Sequence, residues 1–250
     1  MSNQPLGALL IHGFSGTPAG FGKLTDQIES LGLPYRAPTL NGHGAQTPNA
    51  LKGVNWREWI VDCEKAMLEV LTEAEKVIFI GHSMGGCLGL TLAVDHQEKI
   101  ESLIVAGGSP VMVSPFGPGR PLHFLAPIFL KTKKQWGTTP IFADLDYARY
   151  DTRYEWVPVE AFVQLFDLIK VTRERLPEVN TPILILHSKN DTTNSPKGAE
   201  VLFNNISTPK DQKQLVWFER TEHEMFLDCE QEEIIRTVVE YIEDRIKRNK

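Results

Sequence analysis

The chain has 250 residues, with 26 basic and 32 acidic side chains and a formal charge of −6. Apolar residues make up 42 % and charged residues 23 %, as in globular proteins, and a chain of this length buries roughly 70–75 % of its unfolded surface without staples. The acidic balance argues against a sequence-independent nucleic-acid binder, which needs a basic face, and Cys63, Cys87 and Cys229 lack the C-x-x-C spacing of a disulfide framework or zinc site.

The opening MSNQPLGALLIHGF has no positively charged leader, and its apolar run ends at His12 and Gly13, so it does not read as a signal peptide. No stretch approaches the roughly 18–20 apolar residues of a spanning helix. The expectation is a cytoplasmic, single-domain protein without stable membrane insertion.

In chain order, the first expected strand, Leu6–Ile11, runs into His12-Gly13-Phe14-Ser15-Gly16-Thr17-Pro18, a backbone loop in which Pro18 suits the first turn of a helix. A second strand is expected at Tyr35–Ala37. Asn55 and Glu58 have the spacing of a reciprocal N-terminal cap and open a helix through Leu71. Val77–Ile80 is continuously apolar, the mark of a strand covered on both faces. It leads into Gly81-His82-Ser83-Met84-Gly85-Gly86 and a helical pattern to about Val94. G-x-S-x-G between strand and helix is a nucleophile elbow: the turn is sharp enough to demand glycine on both sides, and the serine projects over the helix N-terminus.

Beyond the strand Ser102–Ala106, the 109–176 segment shows no clear strand, and prolines 110, 115, 118, 121 and 127 crowd its first part. Two pieces read as helices, Leu122–Leu130 and Pro158–Leu176. In the second, Phe162, Leu165, Phe166 and Ile169 fall at i, i+3, i+4 and i+7, while Val163 and Leu168 lie off that stripe. A strandless segment of this length inside an α/β chain is expected to cap a pocket. Leu125 and the four stripe residues are the expected substrate-binding side chains of that pocket. The last strands, Ile183–Leu186 and Gln214–Phe218, precede a C-terminal helix with an apolar face at Ile234, Val238, Tyr241 or Ile242, and Ile246, and a basic last turn. The alternation defines an α/β fold, a doubly wound and mostly parallel sheet with helices on both faces. Residues 1–108 and 177–250 form the core, and 109–176 the helical cap insertion.

A serine hydroxyl is un-ionised at neutral pH and needs a histidine base and an acid to orient that base. With an elbow serine, these follow it in loops after later strands, acid first. Asp191 and His223 occupy those loops. Asp144, Asp146 and Asp151 are weaker acids for the role, and Asp228 also lies near His223. The oxyanion of acyl transfer needs two N–H donors; Met84 supplies one, and Phe14 is the best candidate for the second.

Together, His12 to Pro18, Asn41-Gly42-His43-Gly44, the Gly81–Gly86 elbow and the stretch from Gln214 through His223 to Asp228 resemble the α/β-hydrolase superfamily, within it the small bacterial carboxylesterases and monoacylglycerol lipases. The resemblance implies a Ser83–Asp191–His223 triad with Phe14 and Met84 N–H groups as the oxyanion hole. It also implies short- or medium-chain esters, monoacylglycerols among them, as substrates. The acid loop departs from the family pattern, with Ser188 and Asn194 where glycine and an apolar residue are common, and the leading hairpin of the family is missing or minimal. The expected partner is a small-molecule ester, with no metal or organic cofactor; a homodimer is compatible. The rival activity is a cofactorless acyltransferase using the same residues. A catalytically dead binder would lack a triad member, and haloalkane chemistry needs a carboxylate where Ser83 stands; peptidase chemistry is disfavoured.

Overall fold

A computed structural model describes residues 4–125 and 133–249. Six strands, β1 (Gln4–Ile11), β2 (Tyr35–Arg36), β3 (Ala74–His82), β4 (Ile100–Ala106), β7 (Ile183–Ser188) and β8 (Lys213–Phe218), form one sheet in the order β2-β1-β3-β4-β7-β8. Every pairing in it is parallel. All six expected strands are present. Their continuous apolar runs follow from burial on both faces: Val77 and Phe79 pack into one core layer, Ile78 and Ile80 into the other.

Helices cover both faces. On one side lie α1 (Leu24–Ser30) and α6 (Gln231–Arg248), the latter burying Ile234, Val238 and Ile242. On the other lie α2 (Trp56–Val70), α3 (Met84–Asp95), α4 (Val159–Arg175) and α5 (Pro196–Asn205). The helix α2 starts where its sequence says: the Asn55 side chain accepts from Arg57 N–H, and Glu58 reaches back to the Asn55 N–H at 2.9 Å.

The 109–176 segment differs from the expectation in two respects. It contains a two-stranded antiparallel pair, β5 (Gln135–Gly137) and β6 (Trp156–Pro158), with Trp136 opposite Val157. Three residues per strand are too few to display an alternating pattern, and both pieces carry a residue, Gly137 or Pro158, that is disfavoured in strands. Of the helix expected at Leu122–Leu130, the described part is a single 3₁₀ turn at His123–Leu125; residues 126–130 lie outside the described residues. The segment is stitched to the loops at the sheet's carboxyl edge. Tyr154 N–H donates to the Ser15 carbonyl at 3.1 Å, the Tyr154 hydroxyl donates to the Gly42 carbonyl at 3.0 Å, and Met112 bridges to Asn194. No helix among the described residues is long and apolar enough to cross a membrane.

Candidate active site

The turn from β3 into α3 holds Ser83 at φ +52° and ψ −113°, outside the regions open to an ordinary side chain. A residue so held costs of order 1–3 kcal/mol and persists only where its surroundings over-determine it. Here Ser83 N–H donates to the Ala106 carbonyl at 2.9 Å, and the Ser83 carbonyl accepts from Gly86 at 3.0 Å. The flanking glycines are obligatory for space. A Cβ on Gly81 would sit 2.4 Å from the Gly85 carbonyl, and one on Gly85 only 2.0 Å from the Ile11 carbonyl oxygen.

Three side chains from three loops converge. Ser83 Oγ donates to His223 Nε2 at 2.8 Å, and His223 Nδ1 donates to Asp191 Oδ2 at 2.7 Å. The other Asp191 oxygen accepts the N–H groups of Thr193 and Asn194 at 2.8 and 2.7 Å. Asp191 and His223 are buried. Burial alone would raise the Asp191 pKa and lower that of His223. The attraction between them outweighs it, leaving the carboxyl below its ordinary range and the imidazole above. A carboxylate beside the imidazole in this arrangement favours a protonated ring next to the Ser83 hydroxyl.

Asp228, the other nearby acid, is committed elsewhere. Its carboxylate accepts from the N–H groups of Glu222, Ala143 and Cys229 at 2.7, 2.9 and 2.8 Å. Asp144 caps the 3₁₀ helix that starts at Leu145, its side chain accepting from the Asp146 N–H, and Asp151 chelates Arg153 through two bonds. None of these meets His223.

Ser83, Met84, Phe14 and His223 line a cavity of about 260 Å³. Met84 opens α3, so its N–H is one of the helix donors without an intrahelical partner. The 109–176 segment supplies most of the apolar wall: Met112, Phe116, Phe162, Leu165, Phe166 and Ile169. Leu125, grouped with these in the sequence, does not line the cavity; the proline-rich approach presents Met112 and Phe116 there instead. Helix α4 is two-faced. While its stripe faces the cavity, Leu168 and Thr172 are buried on another side, where the Thr172 hydroxyl donates to the Cys87 carbonyl at 3.2 Å.

His12, His43 and His82 are held by backbone groups or by burial, away from the reacting atoms. His12 Nδ1 donates to the Gly13 carbonyl at 2.8 Å while its Nε2 accepts from Leu40 N–H at 3.1 Å, and His82 Nε2 donates to the His223 carbonyl at 2.9 Å. Burial pushes His12 down to about 4 and His43 to about 3, so both stay neutral. Cys87 reaches the cavity wall, but burial pushes its thiol up to about 12, leaving it un-ionised. Among the described residues, no group of His, Cys, Asp or Glu side chains is arranged to hold a metal ion.

Residues the sequence reading passed over also reach the site. Glu224, adjacent to His223, lines the cavity with Arg153, the two 3.3 Å apart. Glu222 on the other side bonds to Thr192 in the acid loop. The available signal was the unusual run Glu222-His223-Glu224, two carboxylates flanking the base.

An all-parallel, doubly wound sheet with a serine on a strained strand–helix turn, facing a histidine and an aspartate from later loops, defines an α/β hydrolase. The chain belongs to the Hydrolase_4 family, described as serine aminopeptidase, S33, whose model matches residues 7–230. It is similar to a thermostable monoacylglycerol lipase of Bacillus sp. (strain H-257), 27 % identical over 96 % of this chain and 91 % of that one. It is also similar to a carboxylesterase of Bacillus subtilis (strain 168), 23 % identical over 94 % and 91 % of the two chains. Among solved structures, a metagenome-derived lipolytic enzyme superposes with a TM-score of 0.86 at 24 % identity, covering 97 % of this chain and 95 % of the other. The monoacylglycerol lipase of Paleococcus ferrophilus gives 0.79 at 19 %, covering 97 % and 96 %. The chain is thus an enzyme of the α/β-hydrolase group that contains carboxylesterases and monoacylglycerol lipases.

Proposed function

We propose that the protein is a serine hydrolase of carboxylic esters with short- to medium-chain acyl groups, monoacylglycerols among them. The observation that carries this is the unbroken relay from Ser83 Oγ through His223 to Asp191 at the floor of a largely apolar cavity. In this reading His223 takes the Ser83 proton as the hydroxyl attacks the ester carbonyl, and Asp191 holds the imidazole tautomer. The N–H groups of Phe14 and Met84 bind the oxyanion. His223 then protonates the departing alcohol, and water attacks the acyl-enzyme with His223 again as base.

The 109–176 segment acts as a cap, with the acyl chain lying against Phe162, Leu165, Phe166 and Ile169. The departing alcohol leaves next to His223, where Arg153 and Glu224 offer hydrogen-bonding partners to a hydroxylated alcohol. An ester hydrolase fits better than an aminopeptidase, which must bind a free ammonium. Glu224, the one carboxylate lining the cavity among the described residues, is already compensated by Arg153.

The test is turnover of a chain-length series of nitrophenyl esters beside monoacylglycerols. Hydrolysis with an optimum at short or medium acyl length is expected, with free acid as product. Turnover only of amino-acyl amides, or transfer to an added alcohol in place of water, would contradict the reading.

A further inference from the structure

The base and acid loops are joined by a side chain that touches neither reacting group. The Glu222 carboxylate is buried between them. One oxygen accepts the backbone N–H of Thr192 at 2.6 Å and also the Thr192 hydroxyl; the other accepts the N–H of His223. Thr192 directly follows Asp191, and His223 directly follows Glu222. One carboxylate therefore ties the residue next to the acid to the backbone of the base.

The tie completes a wider pattern. Five successive N–H groups of the histidine loop are taken up: Arg220 and Thr221 by Glu230 at 2.9 and 2.7 Å, Glu222 by Asp228, His223 by Glu222, and Glu224 by the Ile141 carbonyl. Further links join the acid loop to it, from Ser188 Oγ to the Thr221 carbonyl, from Asn190 Nδ2 to the Glu219 carbonyl at 2.6 Å and from Lys189 Nζ to the Glu219 carboxylate at 2.6 Å. Glu222 differs from these in carrying its charge beside His223.

We infer that Glu222 is a positioning residue for His223: it locks the Asp191 and His223 loops into one unit and, through its charge, favours the protonated base. The inference rests on the proposed Ser83–His223–Asp191 relay. Misplacing a reacting group by an ångström costs about 100-fold, and the hydrogen-bonded contact of His223 with both partners leaves no slack of that size. The titratable and charged groups around the base are Asp191, Glu222, Glu224 with its partner Arg153, and the rings of His82 and His187, which burial keeps neutral. Removing one negative neighbour lowers the pH at which the base gains its proton.

The experiment measures kcat, KM and the pH profile of kcat/KM for hydrolysis of a short nitrophenyl ester by wild type, Glu222→Ala, Glu222→Gln and Thr192→Val, with Ser83→Ala as control. Glu222→Ala is expected to lose roughly 10- to 100-fold in kcat with little change in KM, and to move the acidic limb to lower pH. Glu222→Gln, which keeps an acceptor for Thr192 without the charge, should move the limb equally while retaining more of kcat. Thr192→Val should lower kcat and leave the limb in place. If Glu222→Ala does not fold, the Gln and Val variants decide. An acidic limb that stays put in both Glu222 variants, or an undiminished kcat, overturns the inference. An active Ser83→Ala enzyme instead overturns the relay on which it rests.

Discussion

The two loops at the carboxyl ends of β7 and β8 and the 109–176 segment meet at one cavity but are built differently. In the loops, backbone N–H groups are claimed by buried carboxylates, Asp191, Glu222, Asp228 and Glu230, which fixes each residue through several directed bonds. The segment instead carries Val113, Leu122, Phe124, Trp136, Leu145 and Tyr150 as exposed large apolar side chains, and its helix α4 divides its apolar residues between the cavity and the core. Buried carboxylates specify the loops, whereas the cavity wall of the segment, apart from the hydrogen bonds that stitch it to the loops, is made by apolar contact, which tolerates replacement. The loops should therefore govern whether the chemistry proceeds, and the segment which acyl chain is processed.

The strongest way to break this comparison is at the acid. Asp191→Asn should keep the fold and cost about 10⁴ in kcat, because an amide favours the wrong tautomer of His223. Asp228→Asn places an amide among N–H donors, so it should cost about 1–3 kcal/mol of stability and far less in turnover. Thermal melts and steady-state kinetics on both variants separate the roles, and reversed effects would transfer the acid function to Asp228.

A smaller effect is expected in the segment. Burying one methylene contributes about 0.8 kcal/mol, so each added acyl carbon should raise kcat/KM a few-fold until the cavity is filled. Leu165→Ala and Phe166→Ala should shift the length at which this rise stops. An unchanged length profile in both would return these side chains to a purely structural role.

The pH dependence gives a finer test. Because Asp191 and its neighbours raise His223 despite burial, kcat/KM should fall on acidification at a midpoint above the ordinary imidazole value of about 6.5. Stability should follow different groups. His12 at about 4 and His43 at about 3 bind protons less readily folded than unfolded. Their contribution is complete above about 6.5 and is lost as pH falls toward those values. His43→Phe, which preserves an aromatic ring against Trp59 and Phe14, should show a shallower loss of urea stability over that interval than wild type.

The difference in construction also explains what could be read from the sequence. The elbow was legible because a sharp turn demands glycine at 81 and 85, and the six strands because burial on both faces leaves continuous apolar runs. Asp191 and His223 were legible from their place in the loops after later strands, acid before base, and from the motif around His223. The strands β5 and β6 were not, since three residues carry no period. Leu125 was grouped with the cavity on the strength of an apolar run, yet Met112 and Phe116 from the proline-rich approach occupy that wall, where no helical or strand periodicity points. Arg153 and Glu224 meet across 71 positions of chain, a pairing that only the folded arrangement reveals.

The central claim is that Ser83 is the nucleophile, activated by His223. Its most direct test is reaction with a serine-directed fluorophosphonate followed by mass-spectrometric mapping of the adduct. One label per chain on Ser83 is expected in wild type, none in Ser83→Ala, and strongly slowed labelling in a folded His223→Ala variant. A label on another residue, or unchanged labelling without His223, would contradict the account.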